Sequence, residues 1–402
     1  MGGGLSSNKK PKTPPKAMAP VGLQSSQVSS NKVTTDTPIK IHDLKLYLTM
    51  FKDESLELSH ANSSDFVGTL TANKLPPLKT VPTEVYILCH IKELNLSCNE
   101  LSTLDPAIVN LEQLVKLDLS QNRLSILPDE ICQLNCLSSL IVSENELGAL
   151  PEGLGNLKQL KQIVAFKNGM TTLPDSIGGC ISLEEINFYN NKLTELGPGF
   201  PDLENLVEMN VAGNALSSID PIPKLTRLKR CAAYFNKLKS FPSLDHCTEL
   251  TQIQIYRNQL KELPAMNNLV NLTELDANTN VLRALPDSLC TNKNLRMLNL
   301  RKNRLLLLPS AIGNLISLEI LNVGGNPISS PLPLELTILS SLTSLLLDDS
   351  NITLLPLDLV KLTSLVRVDV GNRVDKTDKA TASVMDKLEL ICTNNKGWLK
   401  QT

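Results

Sequence analysis

Apolar positions along most of this chain recur at a fixed spacing, which predicts many copies of one small unit. The stretch LVKLDLSQNRLSILPDEI, Leu114 to Ile131, reads L-x-x-L-x-L-x-x-N-x-L-x-x-L-P-x-x-I. Self-similarity with a period of about 20–50 residues is typical of solenoids. The asparagine of this pattern occurs eleven times at intervals of 22 or 23 residues, at positions 99, 122, 145, 168, 191, 214, 236, 258, 280, 303 and 326.

Each position of the unit has a structural interpretation. The L-x-L segment places two leucines on one face of a short strand, and only stacking against neighbouring units can bury that face. The asparagine follows where the chain leaves the strand, so its amide can bond backbone groups in its own and the adjacent repeat. The later L-P and I-x-x-L should pack the convex side as irregular structure or helical turns, because proline cannot join a sheet ladder.

These positions together predict an α/β solenoid: a leucine-rich-repeat horseshoe with a concave parallel sheet, about 12–13 repeats of 22–23 residues and end caps. We divide the chain into a disordered basic Ser/Thr/Pro tail (1–38), an N-terminal cap (39–69), the solenoid (70–374) and a C-terminal cap helix with a tail (375–402). LTANKLPPL, Leu70 to Leu78, looks like an irregular first repeat. A helix over 378–393 is predicted from helical spacing of Ala380, Val384, Leu388 and Ile391.

The 23-residue form LPxxIxxLxxLxxLxLxxNxL resembles the Ras-group leucine-rich-repeat family, which includes plant intracellular Ras-group-related proteins and Shoc/Sur-type Ras scaffolds. Residues 91–374 carry the resemblance, best in LPDEICQLNCL, LPDSIGGCISL and LPSAIGNLISL. It implies an intracellular, non-enzymatic interaction protein whose concave face binds partners such as small GTPases or phosphatase complexes. Some relatives carry a basic-Val-x-Phe phosphatase-docking motif in the N-terminal tail, whereas KVTT, Lys32 to Thr35, lacks the aromatic residue.

Aromatic residues make up only 3% of the chain, yet several occupy one position of the repeat near the middle of the array. The residue after the second strand leucine is aromatic in four of five successive repeats, and the stretch from Pro221 to Leu244 has six Lys or Arg and no acid. Aromatic and arginine side chains dominate protein-binding hot spots, and cations favour an acidic or phosphorylated partner. We therefore predict a partner-binding surface at Phe166, Lys167, Tyr189, Lys229, Arg230, Tyr234, Phe235, Tyr256 and Arg257. The alternative is that neighbouring rings only pack on each other and stabilise the sheet.

The first residues, MGGGLS, fit the M-G-x-x-x-S pattern of N-myristoylation, with Gly2 as the acceptor. One acyl chain binds membranes only marginally, so a second signal is needed. An anionic membrane surface would attract Lys9, Lys10, Lys12 and Lys16. Thr13 and Thr37 precede prolines and are candidate phosphorylation sites; phosphate at Thr13 would weaken attachment. A plain flexible, solubilising tail is the alternative.

Composition narrows the functional classes further. The net charge of −2 gives no electrostatic case for a nucleic-acid partner. No apolar run is long enough to span a membrane, and the nine cysteines are too scattered for a zinc site. P-loop, GxSxG, HExxH and kinase motifs are all missing from the sequence.

We therefore expect a cytoplasmic, non-enzymatic scaffold for protein–protein interaction that uses no cofactor, no metal and no small-molecule substrate. Its location could extend to the inner face of a membrane through the N-terminal tail. A structural component of a cytoskeletal or ciliary assembly is the alternative function.

Overall fold

The computed structural model describes residues 48, 51–59, 77–329 and 331–401. Within these ranges the chain forms one parallel sheet of fifteen strands, and each strand pairs with its neighbours in sequence order. The strands, β1 to β15, are Ser55–Glu57, Glu93–Asn95, Lys116–Asp118, Ser139–Ile141, Gln162–Val164, Glu185–Asn187, Glu208–Asn210, Arg230–Ala232, Gln252–Gln254, Glu274–Asp276, Met297–Asn299, Ile320–Asn322, Ser344–Leu346, Arg367–Asp369 and Trp398–Lys400.

The strands pair in register, so equivalent residues of successive repeats form straight rows across the sheet. Leu117 in the middle of β3 lies beside Leu94 of β2 and Leu140 of β4. These leucines point away from the concave face into a continuous apolar core, where their exposure is 0–1%. The flanking strand residues point to the concave face, because side chains alternate along a strand.

A ladder of asparagine side chains joins each repeat to the preceding one, as the sequence pattern predicts. Asn122 accepts a hydrogen bond at Oδ1 from the N–H of Leu101 in the preceding repeat at 2.9 Å. Its Nδ2 donates to the carbonyl oxygens of Leu96, 2.9 Å away, and Leu119, 3.0 Å away. Equivalent bonds are made at each of the eleven positions of the pattern, for example by Asn258.

The residue before each ladder asparagine has a left-handed backbone, and most of these residues are not glycine. Phe235 has φ +54°, Lys167 +53° and Arg257 +53°. Such a conformation is uncommon for side chains other than Gly, Asn and Asp, so the surrounding structure must enforce it. The ladder asparagine that follows provides that restraint by bonding the backbone on both sides of the turn.

Short 3-10 helices form most of the convex side, which confirms the expected helical turns. Most begin directly after a proline, as at Pro128 and Pro151. Within the described residues, turns replace the helix between β8 and β9 and between β9 and β10, where the repeats have 22 residues. The helices are Thr83–Ile87, Pro106–Asn110, Asp129–Gln133, Glu152–Asn156, Asp175–Gly179, Phe200–Asp202, Ile222–Lys224, Asp287–Thr291, Ser310–Asn314, Leu334–Ile338 and Leu357–Lys361.

The N-terminal end differs from the expectation. Strand β1 comes from within the predicted cap of residues 39–69 and pairs directly with β2. LTANKLPPL therefore does not supply the strand that precedes β2; most of it, residues 70–76, lies outside the described residues. The LEL segment at Leu56 to Leu58 provides the two inward leucines instead, and both are buried.

The C-terminal end contains the predicted cap helix and one further strand. Helix α1, Lys379–Asn394, is capped by Asp378, whose carboxylate accepts a hydrogen bond from the N–H of Thr381 at 2.7 Å. Its buried face is Thr381, Val384, Met385, Leu388 and Cys392, and half-buried Ile391 packs against the core. Of the predicted face, only Ala380 is exposed. After α1, β15 extends the sheet where we expected only a tail. Strands β2 to β14 thus correspond to thirteen repeats, with an added strand at each end.

The ladder generates a prediction about stability. Asn145→Ala leaves the buried N–H of Leu124 without a partner, which costs about 1–3 kcal/mol. It also removes one of the two asparagine donors from the buried carbonyls of Leu119 and Val142, which keep their bonds to Asn122 and Asn168. Ser350 occupies a ladder position, but the only hydrogen bond of its side chain among the described residues is a long one from the N–H of Ile352 at 3.5 Å. We expect Asn145→Ala to lower, and Ser350→Asn to raise, the free energy of unfolding in urea. The control is Asn110→Ala at an exposed position; equal effects of Asn145→Ala and Asn110→Ala would contradict the ladder's role.

Candidate functional site

The predicted aromatic residues lie along the edge of the concave sheet where the strands end. Except for Phe235, which follows Tyr234, each comes directly after an inward-pointing core residue, as Tyr234 follows Ala233 and Tyr256 follows Ile255. Because the strands pair in register, equivalent residues of successive repeats stand side by side along this edge. None of these rings joins the leucine core; the sequence therefore placed them on the correct face.

Four of the rings form one contiguous group, which we call the aromatic cluster: Tyr189, Tyr234, Phe235 and Tyr256. Tyr234 and Tyr256 stack with centroids 4.4 Å apart and an interplanar angle of 5°. Phe235 meets both edge-on, with centroid distances of 5.9 and 5.8 Å. The ring centroids of Tyr189 and Tyr234 lie 6.2 Å apart across the intervening repeat, because the small side chain of Ala212 there does not separate them. Aromatic pairs in such geometries contribute about 0.5–1.5 kcal/mol beyond area burial.

Exposure divides the cluster into structural and accessible members. Tyr234 is only 8% exposed, because rings cover it on three sides, whereas Phe235 is 44% exposed. Ring packing, the alternative that the sequence left open, thus applies to Tyr234. Phe235 presents its ring to solvent at the turn, with the guanidinium carbon of Arg257 4.4 Å from the ring centroid.

Phe166 and Lys167 lie apart from the aromatic cluster. No ring contact within the described ranges joins Phe166 to it; Lys167 Nζ lies over the Phe166 ring, 5.8 Å from its centroid. Ile141 and Val164 also face the concave side, half-buried, at the middle position of L-x-L. Sequence reasoning missed both, although most repeats carry a polar residue there, as Asn187 and Asn210 do.

Glutamates of neighbouring repeats compensate most of the predicted positive charge. Three of the four predicted cations form ion pairs: Lys167 with Glu144 at 3.3 Å, Lys229 with Glu249 at 3.5 Å, and Arg230 with Glu208. Arg257 makes no ion pair among the described residues. Arg230 also begins its strand, four residues before Tyr234, which places it roughly 13 Å from the aromatic edge. Within the acid-free stretch 221–244, the two cations assigned to the site, Lys229 and Arg230, are therefore already neutralised.

Comparison with known proteins agrees with this architecture. Family models described as leucine rich repeat match residues 89–147 and 294–315. A leucine-rich-repeat protein of Leptospira interrogans is 25% identical, covers 88% of this chain and 97% of its own, and has a TM-score of 0.62. The molecule is a leucine-rich-repeat solenoid. No curated protein matches its sequence.

Two plant receptors share the leucine-rich-repeat fold. The peptide hormone receptor RGFR1 in complex with RGF2 is 24% identical, with 76% of this chain covered and a TM-score of 0.65. The Arabidopsis receptor kinase HAESA, in complex with the peptide hormone IDA and the co-receptor SERK1, is 26% identical, with 73% covered and a TM-score of 0.59. The solenoid spans about half of each receptor chain, 54% and 56% respectively.

Burial raises the pKa of two phenols at the edge of the leucine-rich-repeat sheet, Tyr234 and Tyr256, further above its ordinary value. Burial raises the pKa of Tyr256, and the nearby Tyr234 and Asp276 raise it further. Burial, followed by the charge of Tyr189, also raises the pKa of Tyr234. At neutral pH the phenols are therefore hydrogen-bond donors, and the cationic group at the edge is Arg257.

The rest of the described chain offers little reactive chemistry. Cys247 is fully buried, as predicted, and burial raises its pKa to about 11. Burial likewise raises the pKa of Cys231 to about 12, so neither thiol is a thiolate at neutral pH. No cluster of His, Cys, Asp and Glu suited to a metal ion occurs in the described ranges, and none of their helices is long and apolar enough to cross a membrane.

The different contributions of buried Tyr234 and exposed Phe235 to stability can be measured. We expect Tyr234→Ala to lower the free energy of unfolding by about 2 kcal/mol, because it removes a buried ring stacked on Tyr256. Phe235→Ala should cost less than half as much, since that ring is 44% exposed. Urea denaturation of both variants checks this. Equal losses would mean that Phe235 is as structural as Tyr234.

Proposed function

We propose that this solenoid is a non-enzymatic scaffold that binds a protein partner at the aromatic edge of its concave face. Phe235 and Arg257 are the accessible groups of that edge, and the stacked tyrosines hold them in place. Both sit at positive-φ turn positions, which project their side chains beyond the strand ends. A rigid, exposed ring with a guanidinium on its face is typical of a binding hot spot. This juxtaposition is the observation on which the proposal rests.

The partner we propose presents a carboxylate or phosphate to Arg257. Because Lys167, Lys229 and Arg230 already have glutamate partners, Arg257 is the predicted site cation whose charge is left to attract a ligand. The neighbouring phenols can donate hydrogen bonds to the same anion. The two plant receptors, described as complexes with hormone ligands, support a protein or peptide ligand in general terms.

We further propose that the partner belongs to intracellular signalling, such as a small GTPase or a phosphatase complex, and that the N-terminal tail tethers the scaffold to a membrane. The first suggestion rests on the Ras-group resemblance of the repeat. The second rests on Gly2 and on Lys9, Lys10, Lys12 and Lys16, which lie outside the described residues together with Thr13 and Thr37.

Partner binding is tested with the full chain as bait in native lysate. We expect the double variant Phe235→Ala, Arg257→Gln to reduce recovery of a specific partner at least about tenfold, because hot-spot truncations cost about 2 kcal/mol or more. Quantitative mass spectrometry of the captured proteins measures this, and phosphatase treatment of the lysate separates a phosphate from a carboxylate.

The matched control is Arg230→Gln, which removes a cation that is already paired and lies away from the aromatic edge. Its captured partners should equal those of the wild type. Equal losses with the control, or full recovery with the double variant, would refute the proposed site.

Membrane tethering is tested independently. Mass spectrometry of the native N-terminus should show a myristoyl group on Gly2, and Gly2→Ala should move the protein from the membrane fraction to the soluble fraction. An unmodified Gly2 would end this part of the proposal without affecting the concave site.

A further inference from the structure

Three consecutive repeats near the C-terminus carry large apolar side chains on an outer surface that is polar in most other repeats. Leu334 and Leu357 each start a 3-10 helix after a proline. The equivalent residues elsewhere are Asp129, Glu152, Asp175, Asp287 and Ser310. We call the following six residues, which are 48–65% exposed, the flank patch: Leu306, Leu307, Leu334, Ile338, Leu354 and Leu357.

The flank patch is contiguous because its three repeats are bonded side by side. The N–H of Ser329 donates to the carbonyl oxygen of Leu306 at 3.3 Å, and Ser329 forms a parallel bridge with Asn351. The 3-10 helix Leu334–Ile338 packs between its neighbours, Ser310–Asn314 and Leu357–Lys361. Pro331, also exposed, occupies the position equivalent to Leu307 and Leu354 and fills the middle of the row.

The flank patch supplies a large share of the apolar area that a dimer interface needs. A buried leucine side chain corresponds to roughly 60–120 Å² of apolar surface, and the six side chains are on average about 60% exposed, so together they offer on the order of 200–400 Å². A standard interface buries about 800 Å² per partner, of which about 65% is apolar in homodimers. Patches of this size on a monomer are often functional. The flank patch and Pro331 can therefore form a central part of the apolar core of such an interface.

We propose that the flank patch binds the flank patch of a second copy of this chain around a twofold axis near Leu334. A twofold interface needs a self-complementary surface. The apolar part of the patch has this property: Leu306 and Leu307 of the first repeat and Leu354 and Leu357 of the third lie on either side of the middle helix Leu334–Ile338, so the rotation exchanges two apolar ends. The apolar surface supplies most of the affinity, because the bordering Asp358 already pairs with Lys361 at 2.9 Å.

The dimer leaves the concave face free, because the flank patch lies on the outer surface. Two copies would therefore present two aromatic clusters in one particle. Linked sites can raise the apparent affinity for a divalent partner or a membrane without any new contact. The dimer does not depend on the proposed partner site, and either could fail alone.

The test is analytical ultracentrifugation of the full chain over a concentration series. The wild type should shift from monomer to dimer, and Leu334→Asp should raise the dissociation constant at least about 100-fold, because it places two carboxylates together at the axis. This substitution introduces the residue that Asp129 provides at the equivalent position of another repeat, so the solenoid should remain folded.

The matched control is Ile126→Asp, at the position equivalent to Leu307 in an early repeat; Ile126 is 67% exposed and lies outside the flank patch. It should dimerise as the wild type does. A monomeric wild type at every concentration, or a Leu334→Asp variant that still dimerises, would overturn the proposal. Binding of the wild type to phosphatidylcholine vesicles, lost in Leu334→Asp and without a dimer, would assign the patch to a membrane instead.

The position of the axis has its own test. Leu334→Cys should form a disulfide-linked dimer under mild oxidation, since the two copies of residue 334 meet at the axis. Wild type and Ile126→Cys report any background from the exposed Cys89 and Cys136. If Leu334→Cys gives no more cross-linking than these two proteins, the twofold arrangement is wrong.

Discussion

Hydrogen bonds from the asparagine ladder hold eleven consecutive repeats, those of β2 to β12, each in register with the preceding one. The strands have only three residues each, and a parallel pair of that length has little stability of its own. The ladder compensates because Asn122, like its equivalents, joins an N–H of the preceding repeat to carbonyls of both repeats. Those backbone groups are buried at the end of the core, where water cannot satisfy them.

Because the strands pair in register, equivalent residues of successive repeats lie side by side and form continuous surfaces. Residues 22 or 23 positions apart become neighbours, so one aromatic residue per repeat becomes a stack of rings, and one leucine per repeat becomes an apolar patch. The same spacing places Glu208 beside Arg230 and Glu249 beside Lys229, where they form ion pairs. Charge counted along a single repeat is therefore misleading, because the neutralising residues belong to the repeats on either side.

The sequence was sufficient for the features that depend on repeat position. It predicted the parallel sheet, the ladder bonds, the helical turns of the convex side and the C-terminal helix. Features that depend on contacts between repeats were missed. The ion pairs of Lys229 and Arg230 and the covering of Tyr234 by Tyr189 and Phe235 become visible only when the repeats are placed side by side in space. Ile141 and Val164 were missed for another reason: they occupy a position that is polar in most repeats, and the aligned sequence already shows this. The ends were also mispredicted, since β1 and β15 come from segments that have lost most of the motif.

Hydrogen exchange at the backbone amides that donate to the ladder tests the central claim most directly. These include the N–H groups of Leu101, Leu124 and Leu147, which bond to Oδ1 of Asn122, Asn145 and Asn168. If the ladder holds the repeats together, these amides exchange as slowly as those of the central strands and are released only by cooperative unfolding. Exchange as fast as that of exposed turn amides would contradict the account.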